Sequence, residues 1–339
     1  MLGSASSLVS PLLAAPAKKA KRARAALLLP LSGASATLGI SMQRAAMLAQ
    51  SPGAKAEDII LLDTGGTAAG AAAATTRALR GGARIILGPL FAEESRAAAQ
   101  VAMASGGAVP VVSFSNDESL IGSGAFLIGI TAGQSVTAIL RYARMRGVRR
   151  VAVLGGSSRW ATQGVAAAER LRGAAGLDVQ LLPAGTTAER LPAALRGVQP
   201  DALLVTEEGD MLRQAARALS GTGLQLLGTA QALDLPPQDI AGAWASGVDP
   251  DALSDFAARY GGGTLNAPGS IAALAYDGMT IVEALRAGGV VDRAALLARP
   301  FPVVTGPIRF AADGSAAREL TVLVAGQDGY TIAGKSGSL

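Results

Sequence analysis

The sequence predicts an α/β fold of two serial lobes, each a parallel sheet covered by helices. Three observations carry that expectation. Short apolar runs alternate with stretches of helical spacing along most of the chain. The runs are apolar throughout, as strands covered on both faces are. Each gives way to Ser, Thr, Asp or Gly, the residues of loops and helix starts. A chain of 339 residues has room for two such domains.

The elements follow in order. Residues 1–24 read as a leader: Leu8 to Ala17 is a short apolar run ending in small residues, like the end of an export signal. Its charges follow the run, so the expected signal is incomplete or truncated. In the first series Ala26 to Leu31, Asp58 to Leu62, Arg84 to Leu87 and Val109 to Ser113 are strands. Thr37 to Gln50, Thr67 to Arg80 and Ala92 to Ser105 are their helices. A second series opens with the strand Phe126 to Ile130 and the helix Gln134 to Met145. Strands at Arg150 to Leu154, Val179 to Leu182, Asp201 to Thr206 and Leu224 to Gly228 follow. Thr162 to Ala175, Ala188 to Leu195 and Met211 to Leu219 are the helices between them. Pro236 to Pro250 reads as irregular, Asp251 to Tyr260 and Gly269 to Ala287 as helices. Pro307 to Phe310 and Glu319 to Val324 read as strands around the turn Asp313-Gly314, and the chain from Gly326 as a loose polar tail.

Composition excludes several kinds of chemistry. Cys and His are both absent, so there can be no disulfide, thiolate or imidazole metal site, cysteine nucleophile or Ser-His-Asp triad. The net charge of +5 lies in Lys18, Lys19, Lys21, Arg22 and Arg24, and residues 25–339 sum to zero. The folded body therefore lacks the clustered positive charge of a nucleic-acid groove, and Arg141, Arg144, Arg146, Arg149 and Arg150 read as a solvated surface. No G-x-G-x-x-G follows the first strand and no G-x-x-x-x-G-K-[ST] occurs, so no cofactor or metal is expected. The acid pairs Glu93-Glu94 and Glu207-Glu208 could in principle run a glycosidase. Adjacent acids near helix starts do not face one another, however, and they suit the helix dipole. An enzyme is not expected.

Ligands of open parallel sheets bind beyond the carboxyl ends of the strands. Here those ends are rich in hydroxyls, Asn and Gly. The expected contacts are Ser32, Ser35, Leu90, Phe91, Ala92, Ser113, Ser115 and Asn116 from the first lobe. From the second they are Ser158, Trp160, Glu207 and Gln231.

The segments Ala26–Gly33 (ALLLPLSG), Ile86–Ser95 (ILGPLFAEES), Val109–Ser115 (VPVVSFS), Arg149–Leu154 (RRVAVL) and Gly306–Gly314 (GPIRFAADG) fall in an order that resembles a known family. It is that of the type I periplasmic binding proteins, in the branch of leucine/isoleucine/valine-binding components of ABC transporters. The resemblance spans about residues 25–330. It implies two Rossmann-like lobes joined by three hinge crossings, near Ile130–Gly133, Ser246–Pro250 and Asp313–Glu319. Lobe one would take 25–131 and 250–315, lobe two 132–249 and 316–331, with 332–339 as tail. It also implies a periplasmic location, a small polar solute held between the lobes, and ABC-transporter membrane subunits as partners. Amino-acid binders of the branch place a hydroxyl after the third strand to hold a carboxylate. This chain has Ala92, followed by Glu93 and Glu94. The departure is similar to that of the penicillin-binding-protein activators, which implies an alternative: a regulator whose partner is a peptidoglycan synthase.

Overall fold

The computed structural model describes residues 22–173, 176–207, 209–261 and 269–337. Its first sheet has five parallel strands in the order β2-β1-β3-β4-β5: β1 (Arg24–Leu29), β2 (Ile59–Asp63), β3 (Ala83–Leu87), β4 (Val111–Ser113) and β5 (Ala125–Leu127). The helices α1 (Ala36–Leu48), α2 (Ala68–Arg80) and α3 (Ala92–Ala104) connect the first four. The second sheet has seven strands in the order β14-β13-β10-β9-β8-β6-β7. Its members are β6 (Arg150–Leu154), β7 (Asp178–Leu181), β8 (Ala202–Val205), β9 (Gln225–Gly228), β10 (Trp244–Gly247), β13 (Thr321–Ala325) and β14 (Tyr330–Lys335). Pairing from β7 through β10 is parallel, and β13 is antiparallel to both its neighbours. The helices around it are α4 (Ala132–Met145), α5 (Arg159–Arg170), α6 (Leu191–Arg196) and α7 (Met211–Ala218). The chain then adds α8 (Pro250–Gly261), α9 (Ser270–Ala287), the short α10 (Arg293–Leu297) and a hairpin of β11 (Ile308–Phe310) with β12 (Ala316–Arg318).

The two sheets repeat one plan. In each, the first strand of the unit lies between its second and third, so the strand order reverses beside β1 and again beside β6. Alternate residues of each strand enter different cores. Leu27 and Leu29 face α8 and α9 through Phe256 and Met279, while Ala26 and Leu28 face α2 and α3 through Ala74 and Ala98. Likewise Leu203 and Val205 pack with Leu191 and Leu212, and Ala202 and Leu204 with Val136 and Ile139. Alanines on these helix faces let α2 and α3 lie close together on the sheet. Gly88, at φ +93° just after β3, has no room for a side chain, because a Cβ would stand 2.1 Å from the Leu28 carbonyl oxygen.

The chain passes between the sheets three times. It leaves β5 for α4, which packs on β10 and β13; it leaves β10 for α8, whose Phe256 joins the Leu27 core; and it leaves β12 for β13. Beside these passages a buried cluster ties the segments. Asp277 on α9 accepts from Val304 N (2.8 Å), Thr305 N (2.9 Å) and the Thr305 hydroxyl (2.5 Å). Arg318 donates to that hydroxyl and to the Thr305 (3.2 Å), Gly306 (3.3 Å) and Ile128 carbonyls. Burial pushes the Asp277 carboxyl up and the Arg318 guanidinium down to about 10.

Several expectations need correction. The strand expected over Phe126 to Ile130 as the opening of the second series is β5, the edge of the first sheet. Pro236 to Pro250 contains β10, a Trp-Ala-Ser-Gly strand too short and small to show an apolar run, ordered by pairing on both sides. The partner of β11 across Asp313-Gly314 is β12, while the strand expected over Glu319 to Val324 lies in the second sheet as β13. The loose tail expected from Gly326 holds β14, an exposed edge whose polar residues hid it. The helix expected over Thr162 to Ala175 runs from Arg159 to Arg170, and Ala174 and Ala175 lie outside the described residues. Of the expected leader, residues 1–21 also lie outside them, but Arg22 to Arg24 belong to the fold. Arg22 meets the carboxylates of Glu283 and Asp58, and Arg24 begins β1.

Candidate functional site

The carboxyl ends of the strands are occupied by loops that acids hold in shape. Asp63 Oδ1 accepts from Leu31 N (2.8 Å), Ser32 N (3.2 Å) and Gly65 N (2.8 Å), which turns the β1 loop around the end of β2. The Ser32 hydroxyl, then the Gly65 amide, hold the Asp63 carboxyl below the usual range. Ser35 stands at the start of α1 without a side-chain cap bond. Glu94 is buried at the start of α3, where its Oε2 accepts from Phe91 N at 3.1 Å; burial pushes its carboxyl up. In the second sheet Glu207 Oε2 accepts from Ser157 N at 2.6 Å and caps the loop after β6. Ser158 caps α5 by accepting from Ala161 N at 3.1 Å.

Where the two sets of loops meet, a cleft of about 240 Å³ is lined by Leu90, Phe91, Ala92, Ser115, Asn116 and Trp160. Asp117, Arg159 and Gln163 complete the lining. Leu90 and Trp160 are buried, Phe91 and Asn116 exposed. Trp160 is fixed rather than free to stack, since its Nε1 donates to the Thr229 hydroxyl at 3.1 Å. The Ser115 hydroxyl accepts from Asp117 N at 3.2 Å and shapes the wall.

The cleft is bridged. Asp117, in the loop after β4, takes a bond from the Arg159 guanidinium through Oδ2 and one from Gln163 Nε2 through Oδ1 at 2.8 Å. Burial raises the Asp117 carboxyl. The Ser119 amide, Arg159, Gln163 and the Ser119 hydroxyl outweigh burial and hold it below the usual range. Its bond and charge in turn raise Arg159.

Six of the expected contacts do not line the cleft: Ser32, Ser35, Ser113, Ser158, Glu207 and Gln231. Ser32 and Ser158 serve their own turns. Ser113 is sealed inside, bonded to the Ser95 hydroxyl at 2.7 Å and to Ser115 N at 3.0 Å. Glu207 and Gln231 border a small depression with Leu212 and Thr229. Glu207 also borders a groove of about 670 Å³ that opens on the second sheet alone. Glu208, the other acid of that pair, lies outside the described residues. The expected site missed Arg159, Gln163 and the role of Asp117. One signal was available: a cation at a helix start opposes the helix dipole, so Arg159 invites a search for a partner. Gln163 lies one turn on, on the same face.

A family model described as periplasmic binding protein matches residues 23–329. The chain belongs to this family. Solved structures agree on the fold. A putative branched-chain amino acid ABC transporter protein from Rhodospirillum rubrum matches at 20% identity and TM-score 0.77, over 91% of this chain and 99% of that one. A solute-binding protein of an ABC transporter from Rhodopseudomonas palustris, in complex with 3,4-dihydroxybenzoic acid, matches at 20% identity and TM-score 0.63, over 92% and 96%. LpoA from Haemophilus influenzae matches at 15% identity and TM-score 0.70, over 94% of this chain and 60% of that one. No curated protein sequence matches the chain. Within the periplasmic binding protein fold, the cleft lies where the strand ends of the two sheets meet. Among the described residues no helix is long and apolar enough to cross a membrane.

Proposed function

We propose that the chain is an exported solute-binding protein of the leucine-binding type. It captures a small polar ligand between two lobes in the periplasm and delivers it to the membrane subunits of an ABC transporter. The observation that carries the reading is the cleft itself, whose walls come from the β3 and β4 loops on one side and the start of α5 on the other. Lobe one is built on the first sheet and lobe two on the second. The passages near Ile130–Gly133, Ser246–Pro250 and Asp313–Glu319 are the hinge. A ligand that touches both walls favours the closed arrangement by its differential affinity for it. Leu90, Phe91, Ala92, Ser115, Asn116 and Trp160 line the pocket, and Asp117, Arg159 and Gln163 supply its polar contacts. The deciding experiment is a thermal-shift screen with amino acids, aromatic acids and other small metabolites. A true ligand at 100 times its Kd adds about 2.7 kcal/mol, and the Arg159→Ala variant weakens that response. A flat response across the panel sinks the reading.

A second reading is a regulator of peptidoglycan synthesis that works through protein contacts. Two observations support it: Ala92 stands where a carboxylate-binding hydroxyl would, with the buried Glu94 two residues on, and the Asp117–Arg159 bridge joins the walls directly. Retention of a purified peptidoglycan synthase on the immobilised chain, together with a flat thermal-shift panel, would favour it.

A further inference from the structure

A second cavity, of about 370 Å³, shares no lining residue with the cleft. It lies beside the β5–α4 passage and the β11–β12 hairpin. Three exposed guanidinium side chains line it from three different elements: Arg141 of α4, Arg170 at the end of α5, and Arg309 of β11. The one carboxylate in the lining is Glu118, which meets Arg170 loosely at 3.6 Å. Arg141 and Arg309 have no ion-pair partner among the described residues. The cluster is not a by-product of a basic surface, because residues 25–339 carry no net charge. Gln134, Thr137 and Arg141 follow one another at helical spacing, so a single face of α4 turns toward the cavity together with its positive end. Arg318 also lines it, and its Nε is buried without a hydrogen-bond partner.

We infer that this cavity binds a small polyanion, a molecule carrying two or more carboxylate or phosphate groups. Guanidinium forks match both kinds of oxyanion in bidentate geometry. Arginines on three elements need more than one anionic group to satisfy them, and a single carboxylate, Glu118, is present. The volume lies at the small end of the range for small-molecule sites, about 300–1,000 Å³. Arg141 and Arg170 stand on helices of the second sheet, whereas Arg309 and Glu118 stand on the side of the first. A bound polyanion therefore clips the two halves together near the passages, at a place separate from the solute cleft.

The test is isothermal titration of the full chain with citrate and with inorganic pyrophosphate, one probe for each kind of oxyanion. At least one should bind saturably at low salt, and more weakly as salt rises. The double variant Arg141→Ala/Arg309→Ala should lose about tenfold or more in affinity. Arg196→Ala, an exposed arginine on α6, should lose none. Both cavity positions are exposed, so circular dichroism should report a folded double variant; if it does not, each single variant is titrated instead. The proposal is overturned if neither probe saturates, if the cavity variants bind as the parent does, or if Arg196→Ala weakens binding equally. The cleft reading rests on other residues, so either can fail alone.

Discussion

Arg318 reaches toward Asp277 beside the passages, and Arg159 reaches Asp117 at the mouth of the cleft. Both pairings join segments distant in sequence, but they sit in opposite surroundings. The Arg318 pairing is wholly buried and runs through the Thr305 hydroxyl, which accepts from the guanidinium and donates to the carboxylate. The Arg159 pairing is direct, and its guanidinium is largely in water. Burial lowers Arg318 to about 10 and raises Asp277, whereas partners raise Arg159 and lower Asp117. In the first case desolvation wins, in the second the hydrogen bonds do. The buried set suits an element that must keep one geometry. The exposed pair can be broken cheaply, as a cleft that opens requires.

The largest effect expected from this contrast is on the buried side. Arg318→Met leaves the Thr305 hydroxyl and the carbonyls of Thr305, Gly306 and Ile128 without their guanidinium donor, and the buried Asp277 without its neighbouring positive charge. It should cost about 3–5 kcal/mol in urea denaturation at pH 7. Replacing both charges, in Arg318→Met with Asp277→Leu, should recover much of that loss, since no unpaired charge then stays buried. A double variant as unstable as the single one would show that the network's other bonds dominate. Next comes Thr305→Val, which keeps the shape and removes the relay. It should cost about 1–3 kcal/mol, measured the same way.

The fold was legible because it rests on repetition. Runs such as ALLL and IILGPL are buried on both faces, and their alternation with stretches of helical spacing points to a covered parallel sheet. The elements that escaped were those whose order comes from neighbours. β10 is Trp-Ala-Ser-Gly and β14 an edge of mixed polarity, and neither carries a period of its own. The candidate site was half legible. Strand ends pointed to Leu90, Ala92, Ser115 and Trp160. They could not tell a hydroxyl that lines a cleft from one that caps a turn, as Ser158 does, or one sealed inside, as Ser113 is. Pairing between Asp117 and Arg159 depends on how the halves meet, which no local pattern encodes.

On the exposed side the expected effect is on closure rather than stability. Asp117→Asn removes the charge that holds Arg159 and weakens the Gln163 contact. The stability of the fold should change little, while the radius of gyration of the ligand-free chain in small-angle scattering should rise as the cleft opens. An unchanged radius would mean that the passages alone set the angle.

The smallest effect separates two carboxyls of the first lobe, Asp117 in the cleft lining and Glu94 buried at the start of α3, by the sign of their pH dependence. Asp117 is held below the ordinary aspartate value of 3.8, so around that pH the folded chain binds fewer protons there than the unfolded one. Its contribution is present above pH 3.8 and is lost as pH falls through the folded value. Burial raises the Glu94 carboxyl above the ordinary value of 4.5, so between the unfolded and folded values the folded chain binds more protons there than the unfolded one. Its contribution is greatest below pH 4.5 and declines as pH rises through the folded value. Glu94→Gln keeps an acceptor for Phe91 N and cannot ionise. Urea midpoints measured across this range should therefore fall less with rising pH in Glu94→Gln than in the parent, whereas Asp117→Asn should lose less than the parent on acidification below pH 3.8. Parallel curves for Glu94→Gln and the parent would mean that the Glu94 carboxylate is solvated as well in the fold as outside it, and that the start of α3 is wetter than its burial implies.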